Sequence, residues 1–80
     1  MMFYNVVEVS FPYGHENKTI KVGDLMGEQQ IKEICPMFDI SGALTYLRFI
    51  GDNGKELNML ALHGIPCFIK SEAHTPLPHE

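Results

Sequence analysis

Eighty residues carrying a formal net charge of −4 leave room for one domain with a thin core. The six basic residues, Lys18, Lys21, Lys32, Arg48, Lys55 and Lys70, are scattered among ten acidic ones, which argues against a basic stripe that tracks nucleic acid. No apolar run approaches the length of a membrane span.

Phe3 to Phe11 reads as a strand, with Phe3, Val7, Val9 and Phe11 on one face and Glu8 and Ser10 on the other. Pro12 has no backbone donor and is expected to end it, so Pro12 to Asn17 reads as a loop. Lys18 to Val22 follows as a second strand, and the short connection makes the pair an antiparallel hairpin. Gly23 and Asp24 break the pattern, and Asp24 is a candidate helix cap. Ile31, Ile34, Cys35 and Phe38 then recur at i, i+3, i+4, i+7, which predicts a helix from about Glu28 that Pro36 ends or kinks near Cys35.

Leu44 to Ile50 is bulky on both faces and reads as a central strand. Asp52-Asn53-Gly54-Lys55 is the clearest local signal, because Asn-Gly suits the two positive φ angles of a type I′ turn. That hairpin would pair Ile50 with Leu57, Leu47 with Leu60, and Tyr46 with Ala61, with Glu56 to Leu62 as the return strand. His63 and Gly64 make a further turn, and Ile65 to Lys70 is the last expected strand. Residues 2–70 are therefore expected to form one α+β domain, and 71–80 a flexible C-terminal tail.

The expected fold is a four- to five-stranded, mainly antiparallel sheet with one helix packed on it. Its order, ββαβββ, resembles the β-grasp arrangement of ubiquitin-like proteins: an N-terminal hairpin, a helix across the sheet, then further strands. The chain ends in Pro-His-Glu, where conjugation or sulfur transfer would need an exposed Gly-Gly, so the resemblance implies a fold and no activity.

No catalytic, cofactor or metal motif is matched. Cys67 and His63 are a candidate nucleophile and base, but Cys67 shares a strand face with Ile65 and Ile69, which favours a core thiol. Cys35 belongs to the apolar helical spacing and lacks C-x-x-C spacing. His15, His63, His74 and His79 show no ligand spacing for zinc, and the P-loop pattern is absent. Met1 to Phe11 lacks the features of a secretory leader, so a cytoplasmic protein with reduced thiols is expected.

These features favour a small non-enzymatic protein-interaction module. It would act as an adaptor, an accessory subunit or an inhibitor of another macromolecule, of the kind phages direct at host machinery. The expected partner is a protein, with neither nucleic acid nor membrane bound directly. Tyr13, His15 and Glu16, on the first loop, are the candidate partner-binding residues. The alternatives are a small-molecule binder or enzyme acting as a homo-oligomer with a site near Cys67 and His63, and a metal-binding protein.

Overall fold

β-Branched and aromatic residues favour strands, and Ile31, Ile34 and Phe38 place three of them in the segment read as a helix. A computed structural model describes residues 3–74. Its strands are β1 (Phe3–Tyr13), β2 (Glu16–Lys21), β3 (Leu25–Met26), β4 (Gln29–Gln30), β5 (Glu33–Phe38), β6 (Leu44–Ile50), β7 (Glu56–Ala61) and β8 (Phe68–His74). They form a sheet ordered β2-β1-β8, a small β3-β4 pair, and a sheet ordered β5-β6-β7. All pairs are antiparallel. Among the described residues there is no α-helix, so the expected α+β fold, with its β-grasp-like order, is corrected to all-β.

The correction has local causes. Gly27, at φ +67, closes a two-residue turn that pairs Met26 with Gln29 and Leu25 with Gln30. Asp24 caps no helix; its carboxylate accepts the Lys21 backbone N–H at 2.9 Å. Glu33–Phe38 is an edge strand, and Pro36 sits where a helix could not continue. Within β5, alternation replaces the helical period: Ile34 and Pro36 oppose Phe49 and Leu47, whereas Cys35 and Met37 oppose Arg48 and Tyr46 on the other face.

The first hairpin forms, but its loop is shorter than expected. Tyr13 pairs with Glu16 and Pro12 with Asn17, leaving only Gly14 and His15 in the turn. Pro12 is tolerated because a pair next to the turn-closing pair is non-hydrogen-bonded, so its missing donor would point away from β2. On that far side, pairing with β8 has already stopped at Ser10 and Phe68. A register shift between Val6 and Glu8 makes Val7 an extra residue. The shift turns Val6 toward the core, where the simple alternation had placed Val7.

The Asn53–Gly54 turn forms as a type I′ turn. Asn53 lies at φ 60, ψ 25 and Gly54 at φ 73, and the Lys55 N–H donates to the Asp52 carbonyl at 3.1 Å. Leu47 opposes Leu60 and Tyr46 opposes Ala61 as the hairpin reading requires, but Ile50 opposes Glu56, with Leu57 as a bulge residue. The last strand begins later and runs further than expected, from Phe68 to His74. The expected tail is thus strand-paired as far as His74, and residues 75–80 lie outside the described residues.

One buried cluster joins the two larger sheets. Val9 and Phe11 of β1 pack with Ile34 of β5, Leu47 and Phe49 of β6, and Ile31 and Leu62 from the connections. Ile20 and Ile69, which flank Val9 on either side, close the core from the first sheet. The outer faces of both sheets are left to solvent. No helix among the described residues is long and apolar enough to cross a membrane.

Candidate interaction face

Each sheet has one face in the core, so the composition of its outer face is free to serve another purpose. The outer face of β2-β1-β8 is mostly polar. Lys21, Glu8 and Lys70 stand in one cross-strand row, and Thr19, Ser10 and Phe68 in the next. The Thr19 hydroxyl meets that of Ser10 at 3.4 Å.

The outer face of β5-β6-β7 differs. Its rows are Cys35, Arg48 and Met59, then Met37, Tyr46 and Ala61. Met37, Tyr46 and Met59 are 41%, 39% and 49% exposed, so apolar surface that could have been polar lies in solvent. Arg48 stands among them, its Nε 2.5 Å from a carboxylate oxygen of Glu56. The Glu56 carboxylate holds the Arg48 guanidinium above its ordinary pKa. A methionine, a tyrosine and an arginine on one rigid face are residue types enriched at protein interfaces.

Beside this face, the β5–β6 connection is tightly organised. The Asp39 carboxylate accepts bonds from the Ser41 hydroxyl at 2.6 Å, the Ser41 N–H at 2.9 Å and the Ala43 N–H at 3.0 Å. The Ser41 hydroxyl and the Ala43 N–H favour the carboxylate and hold Asp39 below its ordinary pKa. Phe38 and Ile40 flank Asp39 and are exposed.

The residues singled out from sequence divide between two places. Tyr13, His15 and Glu16 sit together at the exposed tip of the β1–β2 hairpin. Tyr13 is 67% exposed, and the Lys18 ammonium lies 5.2 Å from its ring centroid. The tip therefore has an aromatic side chain held partly by an internal cation.

Cys67 and His63 are not assembled for chemistry. Cys67 packs against the core, and burial pushes its thiol pKa up, which is the opposite of an activated nucleophile. His63 occupies a turn at φ 46, and the depression it lines is shared with Asp39, Thr45 and Tyr46 rather than with Cys67. Cys35, expected in a helical core stripe, lies half-buried on the outer face of β5. Burial and the nearby Glu33 carboxylate, 3.2 Å from its sulfur, raise its pKa. Both cysteines are free thiols. Among the described residues, no group of three His, Cys, Asp or Glu side chains could hold a metal ion.

A groove of about 690 Å³ between β1 and β5 is lined by Val6, Val22 and Ile34 together with Lys32 and Glu33. It offers one cation, one carboxylate and the Cys35 thiol, which stands 3.2 Å from the Glu33 carboxylate but has a raised pKa, unlike an activated nucleophile.

The Met37–Tyr46–Met59 face is not legible in the sequence, because the segment holding Cys35 reads as a helix that ends or kinks before Met37 and so sets no strand beside Tyr46. The signal was present in the second hairpin: its register already placed Tyr46 and Ala61 side by side. In comparisons with known proteins, the chain matches no family model, no curated protein and no solved structure.

Proposed function

We propose that this chain is a non-enzymatic protein-interaction module that presents the outer face of β5-β6-β7 to a protein partner. The observation carrying this reading is the pair of cross-strand rows in which Met37, Tyr46 and Met59 stay exposed around the Arg48–Glu56 ion pair. Exposed apolar surface on a hydrogen-bonded sheet, with a central arginine, suits an anchor that loses water on docking. The acidic balance of the chain favours a partner with a basic rim around its apolar patch. An adaptor, an accessory subunit or an inhibitor would each work this way. Two raised-pKa free thiols are compatible with a reducing, cytoplasmic setting.

The test compares capture from the native host by the wild-type chain, Met59→Lys and Tyr13→Ala. Both altered side chains are exposed, so thermal stability should stay near wild type. The partner should be retained by the wild type and Tyr13→Ala and lost by Met59→Lys. Retention by Met59→Lys with loss by Tyr13→Ala would transfer the role to the Tyr13, His15 and Glu16 tip. Equal retention by all three would remove both surfaces from consideration.

A further inference from the structure

Free strand edges are templates for another strand unless the sequence blunts them, and this fold has four of them in its two larger sheets: β2, β8, β5 and β7. Three are blunted. In β5, Cys35 and Met37 turn their backbone groups toward β6, so the missing donor of Pro36 falls on the free edge. In β7, the Met59 N–H is taken up by the Asn58 side-chain oxygen at 2.8 Å. Edge β2 carries two lysines, Lys18 and Lys21, against the single carboxylate of Glu16, and an excess of lysine discourages pairing at an edge; the N–H of Lys21 is moreover taken up by the Asp24 carboxylate at 2.9 Å.

Edge β8 is different. Tyr13 and Glu16 close a two-residue turn, so the odd-numbered residues of β1 from Val7 to Tyr13 direct their backbone groups to β2; the bond from the Val22 N–H to the Val7 carbonyl agrees. Glu8 and Ser10 therefore bond to β8, through their partners Lys70 and Phe68. Alternation along β8 then turns the backbone N–H and C=O of Ile69, Ser71 and Ala73 outward. Lys70, Ser71, Glu72 and Ala73 are all exposed.

From this arrangement we infer that β8 is a self-association edge, and that its occupant is β8 of a second copy, paired antiparallel about a two-fold axis at Ser71. In that register Ser71 exchanges both backbone bonds with its own copy, and Ile69 does so with Ala73. Lys70 faces Glu72 of the copy, and Glu72 faces Lys70, at non-hydrogen-bonded positions where side chains approach most closely. The intramolecular row Lys21–Glu8–Lys70 is thereby extended by a carboxylate, so charge alternates in sign across the junction. The two sheets become one six-stranded sheet with order β2-β1-β8-β8-β1-β2. The Met37–Tyr46–Met59 face belongs to the other sheet and stays free in each copy.

Sedimentation equilibrium on the full chain tests this. The wild type should show a reversible monomer–dimer equilibrium that weakens with salt. Ser71→Pro removes two donors at the axis while sparing the β1–β8 ladder, and should weaken association at least about tenfold. Glu72→Lys and Lys70→Glu each place like charges opposite one another and should each be monomeric alone. An equimolar mixture of the two restores both opposite-charge pairs and should form a heterodimer. That mixture carries the test if Ser71→Pro does not fold, since Lys70 and Glu72 are exposed. A wild type that stays monomeric up to about 1 mM overturns the inference. So does a dimer that survives both charge reversals, or a mixture that fails to associate while both variants remain folded.

Discussion

Replacing Gly54 by valine isolates the energetic role of one turn. Gly54 lies at φ +73, and no atom stands within 4 Å of where a Cβ would be. The β-carbon itself therefore meets no neighbour, and the main cost is conformational. A left-handed backbone costs an L-residue about 1–2 kcal/mol, with a β-branched side chain toward the upper end. Part of this is offset because valine has less freedom than glycine in the unfolded chain, by about 0.4–1 kcal/mol. The net loss should be about 1 kcal/mol. For a domain of this size that lowers Tm by about 4–8 °C, measured by thermal unfolding under conditions where the transition is two-state. Gly51→Ala provides a contrast within the same hairpin, because there a Cβ would stand 2.9 Å from Leu57 Cδ2, and any loss would come from packing. If Gly54→Val melted at the wild-type temperature, the assignment of positive φ to the Asn53–Gly54 turn would be refuted.

Two titration predictions follow from the side-chain environments. Burial raises the pKa of Cys67, and burial with the Glu33 carboxylate raises that of Cys35, both from an ordinary 9.0. Alkylation of either thiol should be slow at neutral pH and accelerate only in alkali; rapid labelling of Cys67 at pH 7 would revive the Cys67–His63 reading. Asp39 should titrate below its ordinary 3.8 in a carboxyl NMR titration. Because its folded pKa is depressed, its stabilisation is present above the unfolded value and lost as pH falls through the folded one, so the Asp39–Ala43 connection should loosen only in strong acid. A midpoint at or above 3.8 would remove that role for the carboxylate.

Local chemistry was readable where a short stretch of chain settles its own geometry. Asn53-Gly54 dictates two positive φ angles, and that turn sets the Leu47–Leu60 and Tyr46–Ala61 pairs several residues away. The first hairpin was legible for the same reason, although its turn is only Gly14 and His15 where a longer loop was expected. Residues 24–38 were not. Ile31, Ile34, Cys35 and Phe38 fit a helical period, yet four apolar positions also fit a strand and its approach, and the choice belongs to the partner strand β6. The pairing of β1 with β8 joins the two ends of the described chain. No local propensity encodes a contact at that separation, because its free energy comes from burying Val9 and Ile69 together once the rest of the sheet is in place. The outer face with Met37, Tyr46 and Met59 was decided in the same way. Which side of a strand meets water depends on which side the opposing sheet covers, and only the packed structure contains that sheet.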